Sequence, residues 1–295
     1  MPYRRLLVPL DGSELAEAAL PYAALVPSQS VRLLAVEPVE LSAVRMREAR
    51  GEESPWGGWP TCSATYLKLV GLPFAEQDRV VEVAVMAGDP KRLIVEASVD
   101  TDLIVMATRG HGAAKVLLGS VADHVARHAG IPTLLVRDEH PAMIPGVLRV
   151  VVPLDGSERA EEALPVATTL REALGARLHL LHSVDPATSL ATVTELERAA
   201  AAYLTQQLQQ LGAGSTGTQE ILIGPAGRRV LEALRPGDLV VMATRGRSGV
   251  ARLVIGSIAA AVVRRAPAPV VLVRAAPGQM TRALADAAMR PEETR

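Results

Sequence analysis

Two stretches of this chain combine residue types that could hold an anion. Asp238–Ser257, DLVVMATRGRSGVARLVIGS, reads as a short buried strand, a loop carrying Gly246 and Gly249, and a Gly256-Ser257 pair that opens a helix. Asp102–Ser120, DLIVMATRGHGAAKVLLGS, repeats the pattern with Gly110, Gly119 and Ser120. A strand that ends in glycines and feeds a helix N-terminus leaves unpaired backbone N–H groups around one concavity, which suits a phosphate. A second element is Asp11-Gly12-Ser13, found again as Asp155-Gly156-Ser157, each directly after an apolar run. A carboxylate there accepts hydrogen bonds from a sugar hydroxyl or an adenine amino group while the glycine loop holds phosphate. The pair of elements points to a nucleotide.

The elements that must position these residues come in two copies. Val8–Ala23 (VPLDGSELAEAALPYA) matches Val152–Ala167 (VPLDGSERAEEALPVA) at all but three of sixteen positions. Asp102–Gly110 matches Asp238–Gly246 at all but one of nine. Such self-similarity predicts two homologous domains. Their boundaries are expected at residues 1–138 and 147–275, with 139–146 as a linker and 276–295 as a tail. In the first copy the strand-like segments are Arg4–Leu10, Val31–Val36, Arg79–Val85, Leu103–Ala107 and Thr133–Arg137. In the second they are Arg149–Leu154, Arg177–Val184, Thr218–Ile223, Leu239–Ala243 and Val270–Val273. Helical segments alternate with them: one from Ser13 to Leu25, a piece near Ala64–Val70, one opened by Asp89 with Pro90 at its first position, and one over Ser120–Ala129. The second copy carries a clearer second helix, with apolar residues at helical spacing from Leu196 to Leu211. Thr192 and Glu195 form a capping box before it. Each copy is thus five strands and about four helices, a doubly wound α/β layer on a parallel sheet. In such sheets ligands lie beyond the C-terminal strand ends. If strands one and four are neighbours, Asp11 faces Gly110 and Gly119, and Asp155 faces Gly246 and Gly256.

The bulk numbers agree with this architecture. The chain has 295 residues, 49% hydrophobic and 21% charged, with a net charge of -1. That balance offers nucleic acid or anionic lipid no electrostatic foothold. Aromatic residues are only 2%, so the core must be built from Val, Leu, Ile and Ala, as in parallel sheets covered by helices. The single cysteine, Cys62, makes no intrachain disulfide. No apolar run has the length of a signal sequence or a membrane span, so a cytoplasmic protein is expected.

VPLDGSE after the first strand, MATRGRSGVARLVIGS after the fourth and PVVLVR at the domain end resemble the universal stress protein family, as a tandem member covering roughly residues 1–137 and 147–274. The resemblance implies a five-stranded parallel sheet in the order 3-2-1-4-5 and dimerisation through the last strand. It also implies ATP, with Mg2+ as a companion ion, held by a motif of Gly, two residues, Gly, nine residues, then Gly-Ser or Gly-Thr. By the same resemblance Asp11 and Asp155 contact ribose or adenine, Val36 and Val184 offer backbone groups to adenine, and Gly88 and Gly224 line the site. The second copy keeps nine residues between Gly246 and Gly256, whereas the first has eight between Gly110 and Gly119. Both copies carry alanine at the first motif glycine, Ala107 and Ala243. If that position needs a positive φ or a tight approach, alanine costs about 1–3 kcal/mol; if it is extended, the methyl matters little. The second domain is therefore the better nucleotide site.

Each assignment has a plainer rival. Asp11 begins D-x-x-E with Glu14 and would then only cap the first helix. The glycines would merely let the chain turn, and Ser120 and Ser257 would be N-caps. Together these make a family member without nucleotide, a structural or interaction module. His124 and His128, spaced i,i+4, could share a metal. The second copy has Ala261 and Arg265 there and no third ligand is evident, so packing is expected. Trp56-Gly57-Gly58-Trp59 suits loop packing, with a lid or an interface patch as alternatives. No Walker A sequence and no repeated Ser-His-Asp set exists, and no carboxylate pair flanks the loop. Binding therefore ranks ahead of catalysis, with slow ATP hydrolysis or phosphoryl transfer as the enzymatic alternative. The expected protein is a stress-response module that changes a partner surface on binding ATP. If the final strands pair edges, the two domains form an internal pseudo-dimer, and two chains could associate further.

Overall fold

The computed structural model of the chain describes residues 3–39, 63–108, 118–137, 147–212, 217–244 and 255–274. Gly110, Gly246, Gly249, the Trp56–Trp59 segment, the expected linker and the C-terminal tail lie outside the described residues. The chain divides into two compact units. In the first, the elements run β1 (Tyr3–Pro9), α1 (Glu14–Glu17), α2 (Leu20–Leu25), β2 (Ser28–Glu37), α3 (Ser63–Ala75) and β3 (Val80–Ala87). They continue with α4 (Pro90–Ala97), β4 (Leu103–Ala107), α5 (Ser120–His128) and β5 (Thr133–Val136). The second unit repeats the order with β6 (Arg149–Leu154), α6 (Glu158–Glu161), α7 (Ala163–Leu174), β7 (Arg177–Val184), α8 (Val193–Gln210), β8 (Thr218–Ile223), α9 (Ala226–Ala233), β9 (Asp238–Ala243), α10 (Ser257–Arg265) and β10 (Val270–Val273).

The strands of each unit are parallel. Their order is β3-β2-β1-β4-β5 in the first unit and β8-β7-β6-β9-β10 in the second, which is 3-2-1-4-5 in both. β4 and β9 are buried along their whole length, which is why they read as unbroken apolar runs. The outer strands β3 and β8 are largely half-buried or exposed and carry Glu82 and Glu220. Leu6, Leu7, Val8, Ile104, Val105 and Val240 form the sealed centre of the two cores.

The single helix expected over Ser13–Leu25 is broken in two. Pro21 stands four residues after Glu17, so it cannot donate to the Glu17 carbonyl and its ring would clash with it. Pro165 stands in the same relation to Glu161, and the second unit shows the same interruption. Two other start signals form as the sequence predicts. Asp89 accepts from the Lys91 amide at 3.0 Å with Pro90 behind it. Thr192 and Glu195 close both arms of the capping box. α3 runs further than the expected Ala64–Val70, because the added Gly71 and Phe74 are buried on the same face as Leu67.

The entry to the central strands is fixed by carboxylates. Asp238, 3% exposed, accepts from Arg149 Nε and Nη2 at 2.8 Å each and from the Arg235 amide at 2.8 Å. Asp102 accepts from the Arg4 and Arg5 amides at 2.7 and 2.8 Å.

His179 in β7 makes contacts of 2.7 Å with Thr218 Oγ1 and 3.3 Å with Glu220 Oε2. Burial pushes its imidazole below the ordinary 6.5, and the Arg149 charge adds to the effect. The folded state thus holds the ring neutral, so below pH 6.5 the unfolded chain gains a proton here that the fold resists. The contribution is complete above that pH and is lost as the pH falls towards the depressed folded value. A His179→Gln variant is expected to lose less stability than the parent between about pH 7 and pH 5, read from urea unfolding midpoints.

Candidate functional site

The register of the sheet brings the two chemistry-bearing elements to one level. β1 pairs with β4 through Leu7 and Ile104, so Asp11 and Thr108 each lie four residues further along. β6 pairs with β9 through Val151 and Val240, which does the same for Asp155 and Thr244. In each unit the Asp-Gly-Ser turn and the start of the glycine loop therefore leave neighbouring strands side by side, at the carboxyl end.

The turn is built from its own side chains. Gly12 and Gly156 both have φ of 78°, which L-residues rarely adopt, so glycine is needed there to reverse the chain. Ser13 is the N-cap of α1, accepting from the Ala16 amide at 3.1 Å; Ser157 does the same for α6 from Ala160 at 3.2 Å. The capping role considered for Asp11 therefore belongs to the serine. Asp11 Oδ1 accepts from the Ser13 amide at 3.0 Å and from its hydroxyl at 2.5 Å, and Asp155 holds Ser157 with the same two distances.

The glycine loop is pinned at both ends to one threonine. The Thr108 amide donates to Val136 at 2.7 Å, and its carbonyl accepts from the Gly119 amide at 2.7 Å. Thr244 bonds likewise to Val273 and Gly256 at 2.8 Å each. Ser120 and Ser257 are not N-caps. They are the first helical residues, and the caps are Gly119 and Gly256, neither making a side-chain cap bond. These glycines have φ of -59° and -57°, open to any residue, so the turn itself does not demand glycine there. At both helix starts the cap residue thus leaves the first amides without a side-chain cap bond of its own. Ala107 and Ala243 lie inside β4 and β9, and among the described residues the only non-glycine with positive φ is Asp78. The alanines sit in extended backbone and carry no strain.

On the far side of the Asp-Gly-Ser turn, the ends of β2 and β7 are placed differently from the sequence alignment. The Gly88 amide donates to the Glu37 carbonyl at 2.9 Å, whereas the Gly224 amide donates to Val184 at 2.8 Å. The counterpart of Val184 is thus Glu37, and Val36 corresponds to Ser183. The Glu37 side chain is buried and accepts from the Ser63 hydroxyl. Gly88 and Gly224 have φ of 146° and 117°, so both belong to the glycine-favouring region.

One feature of both units was not anticipated. Tyr66 donates to Glu17 at 2.8 Å and Tyr203 to Glu161 at 2.8 Å, bracing the first crossover helices against the second. Burial first, then the bond to the glutamate, then the charges of the glutamate and the site aspartate push each phenol well above its ordinary value. Only four tyrosines occur in the chain, and two at matched places were the available signal. The His182 ring stands edge-on to Tyr203, centroids 5.6 Å apart, beside Gly156. His124 and His128 stack at 3.9 Å, and the His128 ring bonds the His124 carbonyl at 2.8 Å. Among the described residues no group of three or more His, Cys, Asp or Glu could hold a metal.

A five-stranded parallel sheet in the order 3-2-1-4-5, with helices between its strands, defines a doubly wound α/β domain, here present twice. The family model for the universal stress protein family matches residues 2–137 and again 147–274. The chain belongs to that family and is a tandem member of it. A universal stress protein of Mycobacterium bovis is 25% identical over 300 residues, covering 91% of this chain and 94% of its own. One from Mycobacterium tuberculosis is 27% identical over 239 residues, covering 74% and 79%. Among solved structures, a universal stress protein of Archaeoglobus fulgidus superposes with a TM-score of 0.68 at 23% identity, covering 95% of this chain and 98% of that one. No described helix is long and apolar enough to cross a membrane.

The N-cap geometry yields a direct test. Ser157→Ala removes the bond to the Ala160 amide and the hydroxyl that Asp155 holds, and is expected to cost about 1 kcal/mol. Ser157→Thr keeps both groups and should lose less. Denaturant unfolding of the two variants beside the parent measures the difference.

Proposed function

We propose that the chain binds an adenine nucleotide, ATP with Mg2+, between the Asp-Gly-Ser turn and the glycine loop, and that occupancy alters a partner-facing surface in a cytoplasmic stress response. The observation that carries this reading is the register that brings the Asp-Gly-Ser turn and the start of the glycine loop to the ends of neighbouring strands. Gly119 and Gly256 cap α5 and α10 without a side-chain cap bond and without a backbone need for glycine. Helix N-terminal amides and the helix dipole favour phosphate. The neighbouring carboxylate supplies an acceptor for ribose or adenine. Mg2+ would accompany the phosphates. The alanines at 107 and 243 do not oppose the ligand, since their backbone is extended.

The second unit is the stronger site, because its loop keeps the nine residues between Gly246 and Gly256 that the family motif calls for. The one-residue deletion in the first loop favours a ligand-free, structural role for the first unit. Turnover is not part of the proposal. A slow ATPase or phosphotransferase would show Mg2+-dependent phosphate release that disappears in Asp155→Ala.

The purified chain is expected to release adenine nucleotide on denaturation, identified by mass spectrometry, or to bind added ATP in calorimetry. Asp155→Ala should weaken that binding at least tenfold, about 1.4 kcal/mol, with an unchanged far-ultraviolet spectrum. A chain that carries no nucleotide and shows no affinity for ATP overturns the reading.

A further inference from the structure

Two histidines stand one helical turn apart on α5, among charges that the second unit does not repeat. The rings of His124 and His128 stack with centroids 3.9 Å apart and planes at 18° to each other. His128 Nδ1 lies 2.8 Å from the His124 carbonyl oxygen. A carbonyl only accepts, so that nitrogen carries a proton in either state, and a second proton would enter the ring at Nε2. Both side chains are half-buried, on a helix that packs against α4.

The charges around the stack come from both helices. Burial is the largest influence on the His124 imidazole, followed by the neighbouring His128 and by Lys91 of α4, and all three hold it below the ordinary 6.5. Asp89 of α4 and Asp123 of α5 act the other way. Each of these carboxylates has its own bond. Asp89 caps α4 through the Lys91 amide at 3.0 Å, and Asp123 holds Arg127 at 2.6 Å. β5, which also lies against α5, contributes Thr133 to Val136 and no titratable group. The second unit keeps the corresponding helices α9 and α10 packed together. Ala261 and Arg265 stand there in place of the histidines, Gly227 in place of Lys91 and Pro225 in place of Asp89.

We propose that the His124–His128 stack is an acid-sensitive latch between α5 and α4, closed while the rings are neutral and opened when both take up a proton. One proton can be shared by the pair, which titrates as a unit. A second sets two like charges face to face across the stack, with the Lys91 ammonium as a third, in a half-buried place where water screens them poorly. The rings part, and the last turn of α5 loosens from α4. The stabilisation is complete above pH 6.5 and is lost as the pH falls towards the depressed folded value. The helices so coupled are the ones that begin beyond Gly88 and Gly119. No ligand enters this mechanism.

The test is amide hydrogen exchange of the full chain at about pH 7.5 and about pH 5, on either side of the histidine range, corrected for the intrinsic rate. β4 lies in the core of the same unit and reports its global opening. On acidification, protection at residues 125–129 is expected to fall about tenfold more than protection in β4, the effect of one proton over one pH unit. In the double variant His124→Ala, His128→Arg, which carries the residues of the second unit's own helix, the two segments should fall together to within about threefold. His124→Gln, which keeps a polar side chain, carries the same expectation and replaces the double variant if that one melts early. An equal loss at α5 and β4 in the parent overturns the latch. A larger loss at α5 that persists in the variants assigns the effect to other groups and overturns it as well.

Discussion

Two loops can serve one ligand only if the strands that deliver them end at the same height, and that height is set by the pairing of the two central strands. In this chain the pairing is short, with register pairs Leu6–Leu103 and Leu7–Ile104 in the first unit and Arg149–Asp238 to Val151–Val240 in the second. A parallel pair so brief would slip if hydrophobic contact alone held it, because neighbouring Val and Leu residues are interchangeable to a core. The aspartate at its foot removes that freedom. Asp102 is bonded to two consecutive amides of β1, and Asp238 grips Arg149 of β6 through two guanidinium nitrogens. Shifting β6 by one residue would leave the buried Asp238 carboxylate without its partners, a penalty of several kcal/mol, and shifting β1 would break both bonds to the half-buried Asp102. The anchor stands at the amino end of the strands and the chemistry at the carboxyl end, with only a few rigid residues between them.

At the carboxyl end the geometry is carried by backbone and by very short side chains. The turn after β1 uses a glycine for its reversal and a serine for its cap, and the aspartate locks that serine from behind. The loop after β4 is closed by a threonine carbonyl that accepts from the Gly119 amide, directly before the helix. None of these devices depends on the identity of the residues between Thr108 and Gly119. This explains how one unit can lose a loop residue while the bond closing the loop, 2.7 Å against 2.8 Å, is the same. The Tyr66–Glu17 and Tyr203–Glu161 bonds stabilise the outer wall, where the proline-broken first helix would otherwise have the least support.

Much of this was legible in the sequence, because it depends on local chemistry or on repetition. The strands Leu103–Ala107, Arg149–Leu154, Arg177–Val184, Thr218–Ile223 and Val270–Val273 fall where apolar runs and turn residues place them. The Asp89 and Thr192 caps are equally local. Features that depend on register were not legible. VEP and VDP look equivalent when aligned as text, yet the pairing of β2 on β1 and of β7 on β6 sets Glu37, not Val36, opposite Val184. The break between α1 and α2 was within reach, since Pro21 and Pro165 occupy one place in both copies. Ser120 and Ser257 looked like caps only because a serine before an apolar helix usually is one; here the helix begins one residue earlier than that rule allows.

The pattern of divergence between the halves follows from the same mechanics. Positions that set the cradle, from Asp11 to Ser13 and from Leu103 to Thr108, are buried or hydrogen-bonded on several sides, so a change there disturbs the central pairing. The corner beyond β3 and β8 is attached to an outer strand, and the two units fill it differently: Leu93 is buried there, whereas Arg229 is half exposed. After a duplication, this outer corner is therefore the part of each unit that can drift without disturbing the central pairing. A leucine over Gly88 and a guanidinium over Gly224 are what such drift leaves behind, on one and the same backbone.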